Sequence, residues 1–333
     1  MSPKSLLLLC LLCCASFAGA KNPEKDMTGN DLFDKPDKQF EFINLKYLSK
    51  GEALIVPTLY LDVLTYGKGT ARAETSGLQA MRGKEQSTVK ATAEAIIPLD
   101  GALYRQLASQ LYDDFVTQLR AQGWTVYTRE DVKDDPIVQK MKLHTPDKDF
   151  GEPSVKWTDG ITKKEYLRFA PEGFPVFENN LTGPLFKLKK LAAQKSATLV
   201  LPTLGFDPAQ LQLSAERGYS SLSASAGVAP ELILANASYA FLNPKNAGGA
   251  IYGKEIWQVL NPEAGVLVEQ KDASPEFANA LSAALSALSS SGSISSKKGQ
   301  YVIQPDRQVM TTEILRAGVA ANDIAARAIG LYH

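Results

Sequence analysis

Hydrophobic and polar positions follow a regular order along this chain and predict a mixture of helices and strands. The clearest helical pattern starts after Asp100, a residue type that caps helices, and repeats an apolar residue every four positions until Gly123. Those apolar positions are Leu103, Leu107, Leu111, Phe115 and Leu119. A final helix is predicted from about Asp306 to Gly330, with Ile314, Leu315, Val319, Ile324 and Ala328 facing inward.

Strand patterns flank the first of these helices. Residues 88–95 alternate between small apolar side chains, which begin at Val89, and polar ones, which predicts a strand with one solvated face. Residues 124–128 read as a strand that returns after the helix. We therefore expect a strand, helix, strand unit over residues 88–128.

Two apolar segments share a short sequence. Residues 54–62 and 199–207 match at Leu, Pro, Thr, Leu and Asp in register, and both read as buried strands. Two core strands with the same local geometry are one explanation, and a duplicated half-domain is the other. The sequence does not show whether these strands belong to one sheet.

The remaining segments complete an α/β prediction, with α+β as the alternative. We expect a mixed sheet flanked by helices over residues 39–333, with a long surface insertion at about 131–184 and a helix at 184–195. Strands are predicted at 232–241, 251–260 and 265–270, the last two joined as a hairpin at Asn261-Pro262. A helix is expected after Ser274 and a flexible link at 289–298.

The first twenty residues have the pattern of a cleaved secretory signal. Lys4 precedes an apolar run over 6–14, and the small residues 18–20 fit the cut site. The run is shorter than the roughly 20 apolar residues of a membrane-spanning helix. We expect cleavage near Ala20, a flexible leader over 21–38 and a periplasmic or secreted protein. A lipoprotein anchored at Cys14 is the alternative.

Composition narrows the function classes. All three cysteines lie in the predicted signal, so the mature chain has no disulfide or thiolate metal site, which fits a bacterial envelope. The 36 basic and 36 acidic residues balance. The nearest basic cluster, Lys187, Lys189 and Lys190, reads as a solvated helix face, so we expect no nucleic-acid partner.

Known catalytic and ligand-binding motifs are incomplete in this sequence. His144 is the only histidine before the final residue, and it lies in a polar stretch that predicts a surface loop. Asp147 and Asp149 resemble the start of a calcium loop, but Gly151 and Thr158 break the pattern. After Gly67-Lys68-Gly69, Arg72 replaces the third glycine of a dinucleotide fingerprint. We assign no catalytic, cofactor-binding or metal-binding residue.

Carboxylates leave one enzymatic alternative open. Neighbouring acids occur as Asp113-Asp114, Glu130-Asp131 and Asp134-Asp135. A glycoside hydrolase needs two carboxyl groups that converge from separate elements. An acid-dependent hydrolase of envelope carbohydrate is therefore the alternative function, and it predicts two carboxylates in a deep cleft.

The order of several segments resembles one group of bacterial envelope proteins. Val56-Pro57-Thr58-Leu59 is followed by the helix Tyr104–Leu119, by Gly123 and by the segment Trp124–Asp131, and the segments Leu191–Val200 and Ile256–Val268 come later. This order resembles the proteins related to the curli secretion channel and to the lipoprotein activators of penicillin-binding proteins.

The resemblance implies a three-layer α/β domain that binds partners in the envelope. The Ser-, Ala- and Gly-rich segment 214–229 is expected to be a mobile surface loop, with a membrane-inserting hairpin, as in the channel relatives, as the alternative. We expect an exported envelope protein with a binding or assembly role rather than an enzyme. Its partner would be another envelope protein or a cell-wall component.

Overall fold

The computed structural model describes residues 40–50, 52–74, 88–146, 148, 152–158, 161–178, 183–217, 222–245, 247–253, 258–269 and 295–332. The predicted signal, the leader over 21–38 and the helix expected after Ser274 lie outside these residues. The strands are β1 (Phe40–Ile43), β2 (Ala53–Ile55), β3 (Tyr60–Glu74), β4 (Thr88–Ile96), β5 (Val126–Tyr127), β6 (Ser154–Thr158), β7 (Thr162–Phe169), β8 (Ala197–Asp207), β9 (Gln210–Arg217), β10 (Leu222–Ala229), β11 (Leu232–Leu242), β12 (Gly248–Gly253), β13 (Gln258–Asn261), β14 (Gly265–Glu269) and β15 (Ser295–Pro305). The helices are α1 (Gly101–Ala121), α2 (Arg129–Val132), α3 (Pro136–Gln139), α4 (Gly183–Lys187), α5 (Lys189–Gln194) and α6 (Arg307–Gly330), with a 3-10 helix at Leu45–Lys50.

Thirteen of the described strands form one mixed sheet, which confirms the α/β class. The order along its main path is β1, β12, β11, β8, β3, β4, β15, β14. β7 pairs with β3 and β6, whereas β2 lies between β5 and β8. The pairs β2/β5, β2/β8, β3/β8 and β4/β15 are parallel, and the other pairs are antiparallel.

The two long helices pack against each other and against one face of the sheet. Asp100 caps α1 by accepting from the backbone N–H groups of Ala102 and Leu103, and Asp306 caps α6 in the same way. Gly318 allows α6 to approach α1 closely, because a Cβ there would lie 2.5 Å from the Leu111 side chain. Both helices were predicted, although Val319 faces outward with 39% exposure, contrary to expectation.

The repeated segments are neighbouring parallel strands of this one sheet. β2 pairs with the start of β8, where Ile55 lies opposite Leu199, and β3 pairs with its end, where Leu61 lies opposite Leu204. The repeated proline of the first segment lies in the break between β2 and β3. Both segments are buried on both faces of the sheet, which explains why each one reads as a nearly continuous apolar run.

The described residues of the segment 214–229 are strands and not a loop, contrary to our expectation. Its residues form most of the antiparallel hairpin β9–β10, a separate two-stranded sheet that packs across β3 and β4. Alternation was hard to recognise because the inward side chains are small, as at Ala224 and Ala226. These side chains face the alanine side of β4. The polar side of β4, which was predicted to be solvated, therefore points away from the hairpin.

Three other expectations differ from the structure. The insertion 131–184 does not stay at the surface, since it contributes β6 and β7 to the main sheet and buries Phe169 and Phe177. β13 and β14 do not pair as a hairpin, because β13 pairs with β11 and β14 with β15. Residues 295–298 of the predicted link belong to β15, while 289–294 lie outside the described residues.

Candidate functional site

One side of β3, β4, β6, β7 and β15 is polar and basic, and we call it the cationic face. Small and polar residues alternate along β3 from Gly67 to Glu74. The small residues face the hairpin β9–β10, where Gly67 and Gly69 lie against Leu211 and Leu213, so the polar residues point away from it. Cross-strand register places polar residues of the neighbouring strands on the same side. The cations of the face are Lys68, Arg72, Lys90, Lys156, Lys163 and Lys298, and its carboxylates are Glu74, Glu94 and Glu165.

Glu94 is the buried centre of the cationic face. Its carboxylate accepts from Lys68 Nζ at 2.7 Å and lies 3.3 Å from Lys298 Nζ. Burial works to raise the pKa of Glu94, but the hydrogen bonds and charges of the two lysines outweigh it and hold that pKa below its ordinary value. Glu94 is therefore an anion that holds two cations in place on the surface.

Other cations of the face are paired less fully, since Arg72 pairs with the partly exposed Glu74 and Lys90 has no ion pair with any described residue. Lys163 lies directly opposite Lys68 on adjacent antiparallel strands, a like-charge arrangement that destabilises a sheet. Lys68 has Glu94 as its partner, whereas Lys163 forms no ion pair with any described residue. Lys156 is 3.2 Å from Glu165, but its side chain remains 70% exposed. The face therefore retains unneutralised positive charge at an energetic cost to the fold.

A shallow cavity of about 210 Å³ lies at β6 and β7, and residues from both sides of these strands line it. It is lined by Tyr66, Lys156, Trp157, Thr158, Lys163, Lys164 and Glu165. The lining combines two aromatic side chains with three lysines and one carboxylate. It is small compared with ordinary ligand pockets of about 300–1,000 Å³, so it would hold one group of a larger partner.

Charges on the opposite side of the same strands are buried and paired. Arg168 donates two hydrogen bonds of 2.7 Å to Asp62, and its guanidinium lies 4.7 Å from the centre of the Tyr60 ring. Lys164 donates to Asp207 at 2.5 Å. Asp62 and Asp207 are the last residues of the two repeated segments, and each pairs with a cation of β7.

This pairing explains how a charged strand can enter the core. Burial raises the pKa of the neighbouring Tyr166 hydroxyl well above its ordinary value, and the Asp207 carboxylate raises it further. Tyr166 therefore stays neutral, and the charges around it are compensated in pairs. The matched aspartates of the repeat were the only sequence signal for these ion pairs.

Four of the six acids considered for hydrolysis have structural partners, and the other two, Asp113 and Asp134, are exposed. Asp135 caps α3 by accepting from Ile137 N at 2.8 Å, and Asp131 accepts from Thr128 N at 2.7 Å. Glu130 pairs with Lys133 at 2.5 Å. Asp114 accepts from the amides of Gln118 and Asn322, and Asp113 is exposed on α1.

The other sequence candidates also have places in the fold. His144 lies in a loop, as predicted, where its backbone N–H donates to Val176 O. Gly67 and Gly69 lie inside β3 under the hairpin rather than in a phosphate-binding turn. Lys189 and Lys190 are exposed on α5, as predicted, whereas Lys187 ends α4 and lies 3.8 Å from Glu178. Asp147 and Asp149 lie outside the described residues.

Two kinds of feature are absent from the described residues. None of the described helices is both long and apolar enough to cross a membrane. Within the same residues, no group of three or more His, Cys, Asp or Glu side chains could hold a metal ion.

Comparison of the chain with models of known families, with curated proteins and with solved structures gave no match. The cationic face is therefore identified from geometry and charge alone. We did not predict this face from the sequence, although the alternation of small and polar residues along β3 is a signal for it.

Proposed function

We propose that this is an exported protein of the bacterial envelope that binds or assembles with an acidic partner through the cationic face. The observation that carries the proposal is the excess of six cations over three carboxylates on one exposed side of the sheet. The partner is an envelope protein or a cell-wall component with a negatively charged surface. The function needs no catalytic group.

The cost of this charge arrangement supports a binding role. Like charges opposite each other, as at Lys68 and Lys163, lower the stability of a sheet, and a polar residue at either position would remove that cost. An acidic partner would neutralise them on contact. Complementary charge of this kind speeds association and selects the partner more than it adds to final affinity.

The proposed location rests on the pattern of the first twenty residues. Cell fractionation tests it, with the expected result that the native protein starts near Lys21 and lies outside the cytoplasm. Recovery from the cytoplasm with residues 1–20 still attached would contradict export.

A crosslinking experiment tests the cationic face. Envelope fractions are crosslinked to the mature protein, and the amount of each captured partner is compared between the wild type and a Lys156→Gln, Lys163→Gln double variant. The matched control changes Lys189 and Lys190 to Gln, since these lysines are exposed on α5. We expect the face variant to capture several-fold less of a defined partner at low salt, and we expect high salt to weaken wild-type capture.

Two outcomes would count against the proposal. Equal loss of capture in both variants would indicate a general charge effect rather than a specific face. Hydrolysis of envelope carbohydrate by the purified protein, abolished by changing one acid such as Glu130, would favour the enzymatic alternative.

A further inference from the structure

Arg129 lies at the end of the sheet where α/β proteins commonly bind ligands. It follows β5, whose carboxyl end lies beside that of the parallel strand β2. The Tyr112 hydroxyl fixes this position, because it donates to Val56 O at 2.9 Å and accepts from Arg129 N at 3.0 Å. The backbone of Arg129 is thus tied to the end of β2.

The guanidinium of Arg129 lies among aromatic side chains. Its central carbon is 5.9 Å from the centre of the Phe174 ring and 5.7 Å from that of Phe177. The Tyr60 hydroxyl accepts from the backbone N–H of Phe177 at 3.1 Å, which places Tyr60 in the same cluster. We call Tyr60, Tyr112, Arg129, Phe174 and Phe177 the Arg129 niche.

No described residue supplies an acceptor for this guanidinium. Its Nη1 atom is buried and has no hydrogen-bond partner. The acids next to it in sequence are engaged elsewhere, since Glu130 pairs with Lys133 and Asp131 accepts from Thr128. Arg168, by contrast, has both oxygens of Asp62 as partners.

An arginine without an acceptor in a partly buried site is unfavourable for the fold. Burial lowers the pKa of Arg129 below its ordinary value, because desolvation penalises the charged form. Arg129 still stays charged, since an arginine does not lose its proton in a protein. A planar anion that accepts from the guanidinium would compensate this cost, and the carboxylate is the group that matches it in shape.

We propose that the Arg129 niche binds a carboxylate carried on an apolar or aromatic group. The carboxylate accepts from the guanidinium of Arg129, which is only partly buried. The apolar part of the ligand packs against the ring of Phe174, which is partly exposed, whereas Phe177 is buried beneath the site. This site is separate from the cationic face and does not depend on the proposed function.

Small anions test the niche directly. Benzoate, acetate and inorganic phosphate are titrated at constant ionic strength into the purified mature protein, and the backbone amide shifts and the midpoint of thermal unfolding are recorded. We expect benzoate to raise the midpoint and to shift the amides of Arg129 and Phe177. Acetate should bind more weakly than benzoate because it lacks the ring.

Variants assign the effect to Arg129. Arg129→Gln should weaken benzoate binding by at least about tenfold, which corresponds to about 1.4 kcal/mol. Arg129→Lys should also weaken it, because an ammonium group lacks the planar pair of donors. The matched control is Arg327→Gln, which removes an exposed arginine of α6, and it should bind benzoate like the wild type.

Several outcomes would overturn the assignment. Equal benzoate affinity in wild type and Arg129→Gln would show that Arg129 is not the site, and phosphate binding without benzoate binding would exclude a carboxylate site. If Arg129→Gln fails to fold, the amide shifts that benzoate causes in the wild-type protein show where it binds. Shifts confined to the niche support the proposal, and shifts elsewhere or no shifts contradict it.

Discussion

The two sides of β3 and β7 carry charge in opposite ways. On the side of the hairpin β9–β10, Asp62 with Arg168 and Asp207 with Lys164 form buried one-to-one pairs. On the cationic face, cations outnumber carboxylates and most remain exposed. The buried pairs are compensated within the fold and define how the strands meet. The exposed cations are compensated only in part, because three carboxylates face six cations and Lys90 and Lys163 have no ion pair with any described residue.

Side-chain size also differs between the two sides. On the hairpin side, β3 from Gly67 to Ala73 and β4 from Ala91 to Ala95 carry only glycine and alanine, which allows Leu211 and Leu213 to approach the backbone. The cationic face carries long side chains that reach solvent. One strand can serve both purposes because successive residues point to opposite sides.

The largest expected effect is on the buried pairs. Asp62→Ala leaves Arg168 buried without its carboxylate, and we expect a loss of about 3–5 kcal/mol in the free energy of unfolding, measured by urea denaturation. Replacing both residues by apolar ones, as in Asp62→Leu with Arg168→Met, should recover most of this loss. On the cationic face, Lys156→Ala should change stability by less than about 1 kcal/mol. Equal effects at the two sites would remove the distinction between the two sides.

Close packing under the hairpin gives the next effect. A Cβ at Gly69 would lie 2.8 Å from Leu213 Cδ1, so Gly69→Val should lower the free energy of unfolding by about 1–3 kcal/mol. Gly67→Ala is the matched control, because its Cβ would meet Leu211 at an ordinary 3.4 Å. Urea denaturation again measures both. A Gly69→Val variant as stable as the control would show that the hairpin is not closely packed there.

Glu94 predicts a smaller, pH-dependent effect. Because its pKa is lowered in the folded protein, its contribution to stability is present above its ordinary pKa of 4.5 and is lost as the pH falls through the lowered value. Glu94→Gln should lower stability at neutral pH by about 1 kcal/mol and flatten the acid side of the stability profile. Thermal unfolding of both proteins, from neutral pH to below the ordinary pKa of Glu94, measures this difference in stability. A parallel profile for wild type and variant would contradict the role assigned to Glu94.

The smallest expected effect on stability is at Lys163. Lys163→Gln removes one of two like charges on adjacent strands, so stability should stay the same or rise by about 0.5 kcal/mol in urea denaturation at low salt. The gain should disappear at high salt, where screening weakens the repulsion. Marked destabilisation would instead indicate that Lys163 supports the fold.

The candidate sites were less predictable than the helices. Asp100, Asp306 and the apolar residues after them predicted α1 and α6, because capping and helical period are local properties. The hairpin β9–β10 was missed since alternating Ser, Ala and Gly gives a weak strand signal. β7 was missed because the charges of Lys164 and Arg168 argue against burial unless their partners, far away in sequence, are known.

The amino-acid sequence by itself determined the α/β class, the two long capped helices, the alternation of β4 and the two matching apolar strands. Only the tertiary structure decided that these strands are parallel neighbours, that their aspartates pair with β7, and that cations from five strands share one side. The physical reason is that propensity and periodicity act over a few residues, whereas strand order and register depend on contacts between distant segments. The cationic face and the Arg129 niche both depend on such contacts.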